Sequence, residues 1–287
     1  MTDLELACRS LAYRRRILDV IRRAGAGHTG GSLSCVDILN VLYNRVLRVS
    51  PETAADPGRD RYIQSKGHSV EALYVVLSDR GFFPAADLDT LGRAGSPFIG
   101  HPTRKIPGIE HNTGALGHGL SFGVGLALAA KMEAALVPRP GADAAFRVFV
   151  LLGDGELAEG SNWEAAMAGA HFRLQNLTAI VDCNQLQISG RTREVMNTEP
   201  LEAKFAAFGW AVRTVDGHDL AQLTGTLQAP LAPDRPGAVI ARTVKGKGVS
   251  FMENDAAWHH RVPSEDEYGR AVAELGASLK ALEQNRA

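Results

Sequence analysis

The 287-residue sequence holds only three cysteines, Cys8, Cys35 and Cys183, far apart and with no CxxC pair among them. That argues against a disulfide framework and a cysteine zinc site, and it fits a reducing compartment. Charge of one sign is lacking too. Lys and Arg number 31 against 32 Asp and Glu, a net charge of −1, and the signs are mixed along the chain. Neither nucleic acid nor an anionic membrane is expected as a partner. Long hydrophobic runs are missing: the longest, around GLSFGVGLALAA, falls short of the roughly 20 residues that span a bilayer. The N-terminus, MTDLELACRSLAYRRR, has early acids and no continuous apolar stretch, so no secretory signal is expected. These absences lead to the expectation of a soluble, cytoplasmic protein.

What is present is a chain, 45% hydrophobic, whose apolar residues come in two rhythms. Leu11, Ile17, Leu18 and Ile21 form a helical stripe that stops at the glycines of 25–27. Further helices are expected over 35–47, 69–79 and 117–133, with a short strand at 61–65. Pro138–Ala142 reads as a turn-rich surface connection. From residue 146 the pattern changes. FRVFVLL, LTAIVDC, AVRTVD and AVIARTV read as strands, separated by helical NWEAAMAGAHF, EAKFAAF and LAQLTGTL. Short apolar strands alternating with helices predict an α/β fold, a parallel sheet with helices on both faces. The whole chain, 1–287, reads as one such domain, with long functional loops at 95–116 and 245–263. SEDEYGRAVAELGASLKALEQ reads as a helical C-terminal tail.

One stretch of this frame carries chemistry. GDGELAEG places Asp154 between Gly153 and Gly155, at the carboxyl end of FRVFVLL; Asn184 follows LTAIVDC in the same way. The segment between them is a helical crossover, which returns the chain parallel and often beside its start. Both residues are then expected on the carboxyl edge of the sheet, where open α/β sheets bind ligands. The two glycines let the backbone approach a bulky anion. A carboxylate and an amide oxygen without Cys or His suit Mg²⁺, or Ca²⁺, rather than zinc. With no Lys or Arg in the motif, such a metal would neutralise a diphosphate. The structural alternative is that Asp154 caps a helix and Asn184 lies in a turn.

Among nine histidines, His28, His68 and His101 each follow glycine in expected loops, a setting that fits a ligand; a lone histidine is otherwise surface or core filler. The arginines of 14–16 and 22–23 read as a solvated helix face. Trp163 and Trp258 read as packing residues, and Cys183 as facing the core.

GDG followed after about thirty residues by Asn is the thiamine-diphosphate motif, and GDGELAEG…WEA…DCNQLQISG resembles transketolase. GHTGGSLS at 27–34, RYIQSKGH at 61–68, GHP at 100–102, NTGALGHGLSFGVGLALA at 112–129 and KGKGVSFMENDAAWH at 245–259 agree, in order, from about residue 10 to 265. The resemblance implies that Asp154 and Asn184 coordinate Mg²⁺ through their side chains and Leu186 through its carbonyl. It implies that His68 touches the diphosphate. Gly153, Gly155 and the loop from Gly114 to Leu116 would meet the cofactor by backbone. His28, His101 and His259 would face the reacting sugar, His259 also reaching the cofactor. Glu159 would be a buried carboxylate near a dimer axis. His118 stands where some relatives have Gln, and His260 could compete for the position of His259.

The implied activity is transfer of a two-carbon ketol unit from a ketose (phosphate) to an aldose (phosphate), with imidazoles moving protons beside the cofactor. No stretch after residue 265 resembles the pyrimidine-binding domain that completes the family's site. The resemblance therefore implies the N-terminal subunit of a split transketolase, working with a separate C-terminal subunit, with two copies of each chain in a heterotetramer. Two alternatives stay open. One is a subunit of another thiamine-diphosphate enzyme, 2-oxo-acid dehydrogenase α-like or deoxyxylulose-phosphate-synthase-like; the other is a cofactor-binding module without catalysis. SKGH, GHP and WH favour the transketolase reading over the first, and intact Asp154, Asn184, His68, His101 and His259 over the second.

Overall fold

In a computed structural model that describes residues 1–136 and 146–284, the strands are β1 (Arg61–Gln64), β2 (Val148–Gly153), β3 (Leu177–Cys183), β4 (Ala211–Asp216) and β5 (Gly237–Arg242). They form one parallel sheet in the spatial order β1-β2-β3-β5-β4. The connection expected at 138–142 lies outside the described residues. The helices are α1 (Asp3–Ala24), α2 (Thr29–Val41), α3 (Val70–Asp79), α4 (Gly119–Leu136), α5 (Gly160–His171), α6 (Thr192–Val195), α7 (Leu201–Ala207), α8 (Leu220–Leu227) and α9 (Glu265–Gln284).

Strand side chains alternate between two faces, so each strand feeds two cores. Phe149, Leu151, Ile180 and Val239 join the core under α1, α2 and α3. Val148, Val150, Leu152, Ala179 and Val181 join the core under α4, α5 and α7. With both faces covered, β2 and β3 are buried throughout, as the continuous apolar runs predict. Gly153 pairs with Asp182, so the carboxyl ends of these two strands lie level.

Helix α1 forms as the apolar stripe predicts. Thr2 and Glu5 close a capping box at its start, with bonds of 3.2 and 2.7 Å, and Gly25 ends it at φ 68°. One expectation fails here. Arg14 is not on a solvated face; it is 3% exposed and forks onto Asp37, because α2 packs across that side of α1.

Helix α2 begins at Thr29 rather than Cys35 and continues through a wider turn at Leu42–Val46. Gly30 and Gly31, ahead of the expected start, lie inside it. A Cβ at Gly30 would stand 2.9 Å from the Trp258 carbonyl oxygen, and one at Gly31 3.4 Å from His68 Nε2. The glycines let two loops close on the helix, and tertiary packing outweighs their poor helix propensity. Helix α4 reaches 18 residues, enough by length and composition for a bilayer span, contrary to the expectation for this run. It lies against the sheet instead, with Leu120, Val124, Ala127 and Ala130 buried, and Gly123 so close to Val150 that a Cβ would sit at 2.5 Å.

Candidate functional site

The carboxyl edge of the sheet gathers the expected metal donors. Asp154 follows β2 and Asn184 follows the adjacent β3. The Gln185 N–H donates to Asp154 Oδ2 at 2.6 Å, and the Gly155 N–H to Oδ1 at 2.8 Å. Asn184 Oδ1 accepts from the Leu186 N–H at 3.1 Å. Asp154 does cap the short turn Gly155–Ala158, so the structural reading of this residue is correct as far as it goes. Capping leaves its charge unmatched, however. It is 4% exposed and makes no ion pair among the described residues. Burial, and then the nearby Asp182 carboxylate, push its carboxyl up to about 6. A buried carboxylate with no ion-pair partner within 4 Å among the described residues, at the same sheet edge as the Asn184 amide oxygen, fits a hard divalent cation. The glycines around it differ. A Cβ at Gly155 would stand 2.7 Å from Gln187 Cγ, whereas at Gly153 nothing lies closer than 3.8 Å. Packing on Gln187 therefore demands glycine at 155, and the protein's own neighbours do not demand it at 153.

Beside this edge, histidines from four separate connecting segments converge. The His28 ring lies 5.3 Å from His68, 6.2 Å from His101 and 5.6 Å from His259, centre to centre. His68 and His259 stack at 5.1 Å. Gly114, at φ 148°, is what brings its loop onto His101: a Cβ there would stand 3.0 Å from the ring. Burial holds these imidazoles neutral. It lowers His28 to about 4, assisted by His260 and His101, and His259 to about 3, assisted by Lys245. His68 falls well below the usual range, from burial and then Lys66, and burial alone lowers His101. The Nδ1 of His28 is buried and has no partner within the described residues.

Two buried lysines frame the cluster. Lys66 pairs with Asp182, which also accepts from the Ser34 hydroxyl at 2.6 Å and from Thr243. Lys245 Nζ lies 3.0 Å from the Leu186 carbonyl and 2.8 Å from His259 Nδ1. Burial and then Lys66 lower its ammonium to about 8. Glu156, fully buried, accepts from the Gly117 and Gly153 N–H groups at 2.8 and 3.0 Å, tying the loop that contains Gly114 and Leu116 to the end of β2. None of Lys66, Asp182, Lys245 and Glu156 stood out in the sequence as a site residue. The available signal was position: Lys66 and Lys245 neighbour glycine just past strands that end at this edge.

Some expected residues stand apart. Glu159 is exposed, at the start of α5 beside Gly117, so its expected burial would need a second chain. His118 is exposed, with Nδ1 3.1 Å from the Leu116 carbonyl. His260 is exposed and lies 4.6 Å from His28, nearer to it than His259. Trp163 and Trp258 donate to the carbonyls of Leu157 and Phe251 and pack, as read from the sequence. Cys183 is buried in the core, also as expected.

Residues 8–282 match the family described as transketolase, thiamine diphosphate binding domain. The chain is 46% identical to an apulose-4-phosphate transketolase subunit of Phocaeicola vulgatus, over 97% of this chain and 96% of that one. It is 40% identical to a 6-deoxy-6-sulfo-D-fructose transketolase subunit of a Clostridium species, over 95% and 97%. The solved structure of Campylobacter jejuni transketolase matches with a TM-score of 0.87 at 30% identity, over 96% of this chain but only 43% of that one. The chain thus spans less than half of that full-length enzyme and nearly all of the two shorter relatives.

Proposed function

The chain belongs to the transketolase family, through its thiamine-diphosphate-binding domain, and from that premise we propose that it is the N-terminal subunit of a split transketolase. The convergence of neutral histidines beside the buried Asp154 carboxylate, which makes no ion pair among the described residues, is the observation that carries this reading. In it, Asp154, Asn184 and the Leu186 carbonyl would hold Mg²⁺, for which Ca²⁺ could substitute, and the ion would supply the positive charge that neutralises a diphosphate. His68, His259 and the backbone of Gly114, Leu116, Gly153 and Gly155 line the cofactor. When bound, thiamine diphosphate supplies a thiazolium carbon that attacks carbonyls and stabilises the negative charge left on a cleaved two-carbon unit.

The chain's own residues bind, orient and move protons. Lys245 is cationic at neutral pH and His259 neutral, so Lys245 donates to His259 Nδ1. The His259 proton then sits on Nε2, a donor toward the sugar. His28 offers a free Nδ1 to a sugar hydroxyl or to a proton in transit, and His101 a third imidazole. Neutral imidazoles both donate and accept, which suits polyhydroxylated substrates and acid–base exchange near neutral pH. Glu159 stands outside this pocket and takes part only where a second copy meets it.

The remainder of the active site belongs to a separate C-terminal subunit carrying the pyrimidine-binding half. Helices α4 and α5 pack together, and Met132 and Met167 are 56% and 53% exposed on them. We assign that face to subunit contacts, giving a heterotetramer of two copies of each chain, in the cytoplasm, where its three free cysteines would stay reduced. The test is titration of the mixed subunits with thiamine diphosphate and Mg²⁺, followed by ketol transfer between a ketose phosphate and an aldose phosphate. Absence of both binding and transfer would overturn the reading.

A further inference from the structure

A second polar network lies behind the histidine cluster, on the far side of the strap that carries Lys245. Its members come from three separate elements. Arg14 on α1 forks onto Asp37 of α2, with Nη1 2.9 Å from Oδ1 and Nη2 2.6 Å from Oδ2. His218, in the turn between β4 and α8, lies with Nδ1 2.7 Å from Asp37 Oδ2. Its Nε2 accepts the Val244 N–H at 2.8 Å, so Nδ1 carries the proton and donates to Asp37. Arg14 and Asp37 are 3% and 4% exposed.

The network grips the strap at both ends. His218 holds Val244, and Arg14 Nε donates to the Lys247 carbonyl at 2.8 Å. Between these points, the Gly246 N–H donates to the Gly30 carbonyl at 3.0 Å. Gly248 lies against Arg14, where a Cβ would stand 2.8 Å from Cδ. The strap side chain that this arrangement aims into the site is Lys245, which reaches Leu186 and His259. A long, flexible lysine gains a fixed aim only when its backbone is fixed on either side.

We propose that Arg14, Asp37 and His218 form a clamp of positioning residues that sets Lys245, and through it His259, for cofactor binding. The clamp's role at the cofactor rests on the transketolase reading; its hold on the strap does not.

The experiment uses the full chain with its C-terminal partner. His218→Phe fills the space of the ring and removes both hydrogen bonds. His218→Gln keeps an amide oxygen able to accept from Val244 and an amide N–H able to donate to Asp37. Two readouts are taken: amide hydrogen exchange over 243–249 in the cofactor-free protein, and thiamine diphosphate affinity in Mg²⁺. His218→Phe is expected to speed exchange in the strap and to weaken the cofactor by about 10–100-fold, the usual cost of losing a residue that orients a ligand-bearing one. His218→Gln is expected to recover most of both. Wild-type exchange and affinity in His218→Phe would overturn the clamp. So would loss of affinity and of thermal stability in both variants with exchange over 243–249 unchanged. If the wild-type protein itself binds no thiamine diphosphate, the functional reading fails, and the exchange comparison alone decides whether the clamp holds the strap.

Discussion

Lys245 sits 2.8 Å from Nδ1 of His259 while its other close partner is the carbonyl of Leu186, at 3.0 Å. One ammonium group thereby joins the expected metal edge to the expected substrate face. Replacing it with methionine keeps most of the volume and removes both bonds. The His259 tautomer is then free, and one positive charge beside the expected metal edge is lost. Lys245→Met is expected to lower kcat/KM of the two-subunit enzyme by about 10²–10⁴-fold, as for loss of a group that supports acid–base chemistry. Steady-state kinetics checks this, and Lys245→Arg is expected to recover only part because its fork cannot take the same place.

Asp154 makes a prediction whose sign changes with the ligand. Its carboxyl is raised from 3.8 to about 6 in the cofactor-free protein. A raised acid stabilises the fold when protonated, and that stability is lost as pH rises through about 6. At neutral pH the ionised side chain therefore costs stability, on the order of 2–3 kcal/mol, since each tenfold change in proton affinity is worth about 1.4 kcal/mol. Asp154→Asn keeps an acceptor and removes the charge. The cofactor-free variant should melt at a higher temperature than wild type at pH 7.5 and lose that advantage near pH 4. Its Mg²⁺-dependent cofactor binding should disappear. A variant that melts lower at pH 7.5, or binds cofactor as wild type, would contradict this account.

The same carboxyl predicts a pH profile for loading. Mg²⁺ needs the ionised form, so metal binding competes with a proton. Apparent affinity for thiamine diphosphate with Mg²⁺ should be level above about pH 6 and fall roughly tenfold for each step of one in pH below it. Fluorescence or calorimetric titration between pH 5 and 8 measures it. Asn184→Ala, which removes a neutral donor, should lower affinity at every pH without moving the bend.

How much of this was legible beforehand depends on range. The order of strands and helices, and the meeting of Asp154 with Asn184, followed from local patterns and one rule of chain topology. The early start of α2 did not, because Gly30 and Gly31 are helical only through what packs on them. Arg14 misled for a related reason. Charge on a helix says solvent until its partner is known, and Asp37 is 23 residues away. Lys66 with Asp182, and Lys245 with His259, are likewise pairs formed across the fold. Their members are ordinary residues in sequence and become site residues only when the loops close.

Lys66 and Asp182 lead to a stability prediction. Both side chains are almost wholly buried, and the pair lies under the cofactor edge. Removing one partner leaves a buried charge without compensation, typically at a cost of about 3–5 kcal/mol. Lys66→Met should lower the melting temperature sharply at neutral pH. Ser34 and Thr243 still donate to Asp182, so the loss should sit toward the low end of that range. Adding Asp182→Asn should restore part of the stability, since the orphaned charge is then gone. A double variant no more stable than Lys66→Met alone would show that the pair matters through packing rather than charge.

Dependence on a partner is the prediction that tests the functional reading most directly. The histidine cluster and the expected metal edge lie on one chain, which spans 43% of the Campylobacter jejuni transketolase it matches. In the split-enzyme reading, the other subunit covers the pyrimidine end of the cofactor and excludes water from the reacting carbon. Exclusion of water strengthens every charge interaction at such a site and protects the transferred unit from loss. The chain alone should therefore show no measurable ketol transfer with Mg²⁺, thiamine diphosphate and a ketose–aldose pair. Mixing with the C-terminal subunit should restore it, with a rate that saturates as the partner reaches equal amounts. Replacing Met167 on the exposed face of α5 by Glu should shift that saturation to higher partner concentration, or block assembly, while leaving the melting temperature of the single chain nearly unchanged. Full turnover by the chain alone would refute the division of labour, and a Met167→Glu enzyme that assembles as wild type would remove α5 from the interface.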